Sequence, residues 1–296
     1  RWCESSLAID HMAAGDVDGA LTLLHRQIAL VKPSSLLPSL RRTFLSVQAV
    51  TAGFPGMPAL ETPVQREGGL PFCVWRVGVV REEVKRGLKG FQSAHFDACE
   101  EAFQHVLRML PLVQVSEKSE ELEVMQFIDL AREYCTAVKL EKARQQEKGN
   151  TSRVLVLMAL MTRCKLQTAH LLLPLHSAMV AAFKAENFID AAEYARRILQ
   201  NTEIKSPRNA SLEQKAKKVL VRSEREGRNA IPTGLDDKPY SVECAQLLPL
   251  YREDDKIECP YCHAGYRKDQ MKQLCSICGL SQVGVETVGV VCMNSQ

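Results

Sequence analysis

Two Cys-x-x-Cys pairs near the end of the chain, in the stretch CPYCHAGYRKDQMKQLCSIC (259–278), constrain its fold more than any other feature. Twelve residues separate the pair Cys259 and Cys262 from the pair Cys275 and Cys278. Two thiolates on one tight turn can bind the same ion, and a second such turn completes the tetrahedron that zinc prefers. We therefore predict one zinc ion held by these four residues. Unliganded cysteines that share this spacing by coincidence are the alternative interpretation.

A zinc ion with four sulfur ligands has no open position, whereas zinc catalysis requires one for water or substrate. The predicted ion is therefore structural. Gly279 and the run His263-Ala264-Gly265 follow the two pairs and suit tight turns. The Val-rich stretch 282–293 predicts a strand pair around a glycine. A domain of about 55 residues buries too little apolar surface to be stable alone, so a stabilising metal ion is expected there.

The other seven of the eleven cysteines are scattered along the chain, and most of them are expected to be buried free thiols (Cys3, Cys73, Cys99, Cys135, Cys164, Cys244 and Cys292). An odd total with one tight cluster favours a reducing compartment over a secreted disulfide framework. The chain begins with Arg1 and not with Met, so we expect it to be part of a longer protein.

Charge does not predict a partner for this chain. Lys and Arg number 38 and Asp and Glu 35, a formal net charge of +3, which is too balanced to indicate a nucleic-acid binder. The longest apolar runs, such as Val154 to Met161, are much shorter than the roughly 20 residues of a membrane-spanning helix. We predict no transmembrane segment.

Three stretches share one helical pattern: DVDGALTLL (16–24), HFDACEEAFQHVLRMLP (95–111) and NFIDAAEYARRIL (187–199). In the second, Phe96, Cys99, Phe103 and Val106 are followed by Pro111, and the third repeats the first four positions. A small residue one turn after a large one lets a neighbouring helix approach closely. The pattern is typical of a tetratricopeptide hairpin, here in an irregular α-solenoid. Amphipathic helices that share the spacing by chance are the alternative.

Further helices are predicted over 79–90, 118–148 and 151–185, the last with a break or kink at Pro174. The stretch KGNT (148–151) ends one helix at a glycine and caps the next with Asn150 or Thr151. Residues 205–226 predict a terminal helix with a solvated basic face, and a phosphate-binding surface is the alternative.

The helical rhythm breaks between Pro33 and Pro71, where six prolines exclude a continuous helix. Within this segment RTFLSVQAV (42–50) mixes β-branched and aromatic residues and therefore predicts a β-strand. We expect this strand to belong to a projecting hairpin or extended arm over about residues 36–50. Leu40, Phe44 and Val47 would lie on its exposed edge. A disordered loop is the alternative.

The predicted fold is mainly α: an irregular tetratricopeptide-like α-solenoid with a projecting arm and a small C-terminal zinc-ribbon-like β domain. Its parts are an N-terminal helical hairpin (1–32), the proline-rich segment (33–71), the solenoid body (72–226), a linker (227–240) and the zinc-ribbon-like domain (241–296). Neither a phosphate loop nor a nucleophile elbow occurs, and His170 and His176 do not share a helix face. We therefore predict no catalytic residues and no enzyme activity.

The order of these parts resembles a known family. The opening RWCESSLAIDHMAAGDVDGALTLLHRQIALV, the middle FDACEEAFQHVLRMLPLV and LAREYCTAVKLEKAR, the later NFIDAAEYARRILQ and the ending IECPYC…QLCSICGLSQVG are together similar to the C-terminal region of the α subunit of coatomer, the COPI vesicle coat. The similarity runs in order over nearly the whole chain. The family's cysteine pattern varies, so the zinc prediction depends on the spacing in this sequence.

The resemblance implies a non-enzymatic region of a coat protein that supports Golgi-to-ER and intra-Golgi vesicle transport. It implies that upstream β-propellers belong to the full subunit, and that the ε subunit's helical ring encircles a hairpin projecting from this region. Leu40, Phe44 and Val47 are then the expected partner-binding residues. Further coatomer subunits are expected partners, the membrane is reached only through the coat, and the expected location is cytoplasmic, peripheral on Golgi membranes and COPI vesicles.

Two other classes remain open from the sequence. A vesicle-tethering solenoid with a RING-type ubiquitin ligase end would need eight ligands for two ions, and only seven are available near the C-terminus even with His263, Cys244 and Cys292. A nucleic-acid-binding zinc ribbon is disfavoured because YREDDKIE (251–258) places four acids beside the first cysteine pair.

Overall fold

The computed structural model describes residues 4–51, 55–56, 60–63, 75–147, 149–236 and 238–293. Its helices are α1 (Ala8–Ala13), α2 (Val17–Ile28), α3 (Leu37–Ser46), α4 (Val77–Gln92), α5 (Phe96–Met109), α6 (Lys118–Gln146), α7 (Thr151–Met161), α8 (Thr168–Lys184), α9 (Phe188–Gln200) and α10 (Ala210–Glu226). Its strands are β1 (Gln48–Thr51), β2 (Leu60–Pro63), β3 (Tyr240–Glu243), β4 (Leu248–Tyr251), β5 (Lys256–Glu258) and β6 (Gly265–Arg267). The fold is mainly helical, as predicted.

The strands form three antiparallel pairs, β1 with β2, β3 with β4 and β5 with β6. Among the helices that the structure describes, none is both long enough and apolar enough to cross a bilayer.

The chain divides into two compact units. Unit 1 comprises Arg1–Gly90, Asp97–Arg132 and Lys256–Gln296, and unit 2 comprises Phe91–Phe96 and Glu133–Asp255. The residues predicted as one C-terminal domain are therefore shared: β3 and β4 belong to unit 2, and the four cysteines belong to unit 1. Whether the five predicted ranges fold separately stays a prediction.

In unit 1, α1 packs against both α2 and α3. Helix α2 begins where the Asp16 carboxylate accepts a hydrogen bond from the Gly19 amide, a standard N-cap. It ends at Ala29, whose φ of 51° is left-handed and turns the chain sharply. Ala20, Leu24 and Ile28 recur at helical spacing and are fully buried.

The prediction of an extended segment over 42–50 is wrong for residues 42–46, which form the end of α3. Pro38 lies in the first turn of this helix, where a missing N–H leaves no helical hydrogen bond unmade. Leu36, Leu40, Thr43 and Val47 follow at spacings of four, three and four, and all are buried. This helical period of buried side chains overrides the β propensity of the local sequence.

A hairpin does follow α3, with β1 and β2 paired in the register Gln48 to Pro63. It begins later in the chain than predicted, and its projection from unit 1 stays a prediction. Residues 52–54, 57–59 and 64–74 of the proline-rich region and the approach to α4 lie outside the described residues.

The three stretches with the shared pattern are all helical, in α2, α5 and α9. Their small positions are buried as expected: Cys99 on α5, and Ala191 and Ala195 on α9, have no exposed surface. Phe96, the large residue that begins the pattern in the second stretch, would be expected in the core but is only partly buried. Phe96 is the first residue of α5. Its ring packs edge-on against the Phe91 ring, with 5.8 Å between the two ring centroids.

Residues 151–185 form two helices and not one helix broken at Pro174, because the break lies between α7 and α8 at residues 162–167. Pro174 sits inside α8. The predicted cap before α7 is confirmed, since the Asn150 side chain accepts from the Arg153 amide at 3.0 Å. A solenoid arrangement of the helices stays a prediction.

In unit 2, α9 packs between α8 and α10 around one apolar cluster that includes Leu175, Met179 and Ile198. The β3–β4 hairpin is held to the preceding helices by basic side chains. Lys139 of α6 donates to the Cys244 carbonyl at 2.5 Å, and Arg153 of α7 donates to the Leu247 carbonyl at 3.0 Å.

The strand pair predicted over 282–293 is wrong, since this stretch runs without regular strand structure after residue 282. Its backbone instead bonds to other parts of unit 1: the Val115 amide donates to the Cys292 carbonyl at 2.9 Å. Of the seven scattered cysteines, Cys99, Cys135, Cys164, Cys244 and Cys292 are buried free thiols as predicted. Cys3 and Cys73 lie outside the described residues.

Candidate metal centre and partner-binding segment

The structure brings the four cysteines of the two pairs into one cluster. The Sγ atoms of Cys259, Cys262, Cys275 and Cys278 all lie within 4.8 Å of one another. The Cys259 and Cys278 sulfurs are 3.9 Å apart, and the Cys262 and Cys275 sulfurs 3.5 Å. A tetrahedral zinc ion with sulfurs at about 2.3 Å requires sulfur-to-sulfur distances of roughly 3.8 Å. The cluster therefore has dimensions that suit one such ion.

Each pair sits on the same kind of backbone turn. The His263 amide donates to the Cys259 carbonyl and the Gly279 amide to the Cys275 carbonyl, both at 3.0 Å. His263 and Gly279 then adopt left-handed φ values of 57° and 65°. Glycine does so freely, whereas histidine in this conformation is strained. The repeated turn aims both sulfurs of a pair at the same point.

Burial makes a cation necessary if these sulfurs are to be thiolates. All four cysteines are at most 4% exposed. Burial raises the pKa of the Cys262 thiol well above its usual range. Burial also acts to raise the pKa of Cys275, but hydrogen bonds from the other three thiols and from Tyr266 outweigh it and lower that pKa. A bound divalent cation would stabilise all four sulfurs as thiolates.

Tyr266 orients one of the four sulfurs. Its hydroxyl lies 3.1 Å from the Cys275 Sγ and accepts a hydrogen bond from the Ser276 amide at 2.9 Å. With a thiolate at Cys275, the hydroxyl proton points to the sulfur. Such outer partners hold metal ligands in their binding geometry.

The first cysteine pair is joined to helix α5 through the residue between its cysteines. Tyr261 is 1% exposed, and its hydroxyl donates to the Leu107 carbonyl at 2.5 Å. Arg132 of α6 donates to the Cys262 carbonyl at 3.3 Å, and the His263 ring lies 3.6 Å from the Asp129 carboxylate. The first cysteine pair of the cluster is thus bonded to the helices of unit 1.

The second pair is joined to the segment that follows α2. Leu30 and Ser281 form an isolated antiparallel bridge, in which the Val31 amide donates to the Leu280 carbonyl and the Gln282 amide to the Ala29 carbonyl, both at 3.0 Å. The segment after α2 is therefore bonded to the residues that follow the second cysteine pair.

The cluster offers no second metal position among the described residues. The four cysteines are the one group there whose ligand atoms converge, and neither Cys244 nor Cys292 belongs to it. His263 faces Asp129 instead. A RING domain would need eight converging ligands, so the tethering ligase is not favoured.

The three predicted partner-binding residues occupy different environments. Leu40 is buried on α3, and Val47 is buried just after it. Phe44 is half-buried, with its ring next to the turn at Gly15. Their description as an exposed strand edge is wrong, because they lie on or beside the buried face of a helix; contact with a partner stays a prediction.

The exposed apolar residues of α3 are ones that the strand interpretation missed. Leu37 and Leu45 are 50% and 58% exposed, and Arg41 lies between them on the same face. A helix that begins at Leu37 places these three residues one turn apart, so the signal was present in the sequence. We call Leu37, Arg41 and Leu45 the outer face of α3.

Comparison with known proteins decides the family. The family profile for the C-terminus of the coatomer (COPI) alpha subunit matches residues 1–296. The chain belongs to this family. Coatomer subunit alpha-2 of Arabidopsis thaliana is 29% identical over 303 residues, covering 99% of this chain and 24% of the relative.

Two further relatives are also coatomer α subunits by name. Coatomer subunit alpha of Dictyostelium discoideum is 28% identical, covering 100% of this chain and 25% of the relative. Coatomer subunit alpha of Saccharomyces cerevisiae is 27% identical, covering 94% of this chain and 24% of the relative. The chain spans about a quarter of the length of these coatomer α subunits.

Proposed function

We propose that this chain is a non-enzymatic structural region of a coatomer α subunit that binds the ε subunit and acts on Golgi membranes in COPI vesicle transport. The observation that carries the coat role is the family match over the whole chain. Other coatomer subunits are further proposed partners, and the membrane is reached through the assembled coat.

The proposed contact with the ε subunit uses the outer face of α3 together with the β1–β2 hairpin. Leu37 and Leu45 leave about half of their surface in water, and the hairpin begins two residues after α3 ends. Exposed apolar side chains beside an unpaired strand edge are typical of protein contacts. Of the residues predicted earlier, Phe44 has surface left to contribute, while Leu40 and Val47 hold α3 in place.

Binding to purified ε subunit by titration calorimetry tests this proposal. The double variant Leu37→Glu/Leu45→Glu keeps the buried face of α3 and is expected to weaken binding at least tenfold, because it places charge in an apolar contact. Val221→Glu on α10, where the side chain is 53% exposed, is the matched control and should bind like the parent chain.

A second variant separates the hairpin from the helix. In it a short Gly-Ser loop replaces residues 48–63. Loss of binding only in this variant would assign the contact to the hairpin, and loss only in the α3 variant would assign it to the helix. Full affinity in both variants would overturn the proposed interface.

We further propose that the four-cysteine cluster holds one structural zinc ion. The sulfur distances, the repeated turns and the connections to α2, α5 and α6 support it. Metal analysis of the chain purified without chelator tests it, with Cys275→Ser as the variant expected to lose the ion. Unchanged zinc content in that variant would contradict the assignment.

A further inference from the structure

Unit 2 contains a cavity of about 390 Å³ that the proposed coat function does not use. Helices α7, α8 and α9 and the chain between α10 and β3 line it. Its apolar floor includes Met158, and its polar wall consists of eight residues: Arg163, Asp190, Glu193, Tyr194, Asn229, Thr233, Asp236 and Tyr240.

Tyr194 is the residue that points to a ligand. The side chain is only 9% exposed, and within the described part of the chain its hydroxyl has no hydrogen-bond partner. Burial raises the pKa of this hydroxyl, so it stays protonated and can both donate and accept. The hydroxyl is not among the described buried atoms that lack a partner, so it faces the open space of the cavity. A ligand in the cavity would supply the missing partner.

The charges around the cavity favour a cation. Three carboxylates line it, from Asp190, Glu193 and Asp236, against one guanidinium, from Arg163. That guanidinium lies over the Tyr240 ring, 5.0 Å from its centroid, and 3.5 Å from the Glu193 carboxylate. Arg163 is therefore already engaged, whereas the exposed Asp236 carboxylate has no side-chain partner among the described residues.

The wall of the cavity is held in place before any ligand binds. Asn187 and Asn229 each donate to the Asp190 carboxylate, at 3.2 and 3.1 Å. The Phe188 amide donates to the Arg228 carbonyl at 2.8 Å, which fixes the chain after α10 against the start of α9. A pre-formed site loses less conformational entropy on binding.

We propose that this cavity binds the cationic side chain of a basic peptide, lysine or arginine. The aliphatic stem lies on the apolar floor beside Met158. The charged end lies among the carboxylates of Glu193 and Asp236 and donates a hydrogen bond to the Tyr194 hydroxyl.

The test is a methyl NMR titration of the 296-residue chain, observing the Met158 methyl group, which a Met158→Leu variant assigns. The probes are N-acetyl-lysine methylamide and N-acetyl-arginine methylamide. N-acetyl-norleucine methylamide has a similar stem without the charge, and N-acetyl-glutamate methylamide carries the opposite charge. At least one basic probe is expected to shift the signal saturably and to bind at least tenfold more tightly than either control probe.

Variants then test the named groups. Tyr194→Phe removes only the hydroxyl and is expected to weaken binding of the basic probe roughly tenfold. Asp236→Asn should weaken it several-fold, and Glu226→Gln, an equal charge change on an exposed residue outside the cavity, should leave it unchanged. Melting temperatures confirm that each variant is folded.

Three results would each overturn the proposal: no saturable shift with either basic probe, equal binding of the norleucine or glutamate probe, or unchanged affinity in folded Tyr194→Phe. None of these results bears on binding of the ε subunit, which is proposed to use unit 1.

Discussion

The Tyr261 hydroxyl donates a hydrogen bond to the Leu107 carbonyl at 2.5 Å, across 154 positions of sequence. Four residues after Leu107 lies Pro111, which has no N–H to complete the helical hydrogen bond to this carbonyl. The tyrosine between the first two cysteines thus satisfies a backbone group at the end of α5. The cysteine cluster and the end of α5 are therefore linked by this hydrogen bond.

Replacing Tyr261 with phenylalanine is expected to destabilise unit 1. The ring would still fill its buried site, but the Leu107 carbonyl would lose its hydroxyl donor, which costs about 1–3 kcal/mol. Denaturant titration measures the change. Tyr194→Phe is the matched control, since the hydroxyl of that buried side chain makes no hydrogen bond within the described chain and its removal should cost nothing. Equal stability of the two variants would refute the role given to Tyr261.

Loss of the metal is expected to loosen all of unit 1 and not only the residues after 241. The cluster is bonded to the segment after α2 and to α5, so these parts lose a shared anchor when Cys275 becomes serine. Limited proteolysis with mass identification of the fragments measures this. New cleavage within residues 4–46 or 97–132 is expected, while residues 151–226 stay protected. Cleavage confined to 256–293 would show that the cluster stabilises only its own turns.

Replacing each of two glycines on α4 with alanine is expected to change stability in opposite directions. A Cβ added at Gly87 would lie 2.7 Å from the Phe103 ring, and that ring is fully buried. Gly87→Ala should therefore cost about 1–3 kcal/mol through overpacking. At Gly78 an added Cβ meets nothing within 4 Å among the described atoms, so Gly78→Ala should stabilise the helix by up to about 1 kcal/mol. Thermal unfolding compares them, and the same sign for both would mean that the contact of α4 with α5 is misplaced.

Truncating Phe103 tests the shared helical pattern. Phe103→Ala should cost about 3–5 kcal/mol, because the whole buried ring is removed. Phe96→Ala in the same helix should cost clearly less, since Phe96 is only partly buried. A loss under about 1 kcal/mol at Phe103 by denaturant titration would show that the helical register is wrong.

Predictions from the sequence were correct where they depend on the spacing of nearby residues. The four cysteines converge because each pair is one turn, and Asn150 caps α7 because capping needs only the next three residues. Helix α3 was missed because β-branched and aromatic residues in RTFLSVQAV outweighed the buried spacing of Leu36, Leu40 and Thr43. Propensity is a weak guide where a helix face is buried by tertiary contacts.

Contacts between residues that are far apart in the sequence could not be predicted from it. Nothing near Tyr261 in the sequence indicates Leu107, and nothing near Ser281 indicates Leu30. For the same reason the sequence could not show that β3 and β4 belong to unit 2 while the cysteines belong to unit 1. The cavity at Tyr194 likewise requires three helices and the chain after α10 to meet.

The central claim is that one closed four-thiolate zinc site fastens residues 256–293 to the helices of unit 1. Native mass spectrometry of the reduced chain, purified without chelator, counts the bound metal directly. We predict one zinc ion per chain, retained in Tyr194→Phe and absent in Cys275→Ser. A chain that is fully folded with no bound metal, or that binds two zinc ions, would contradict the claim.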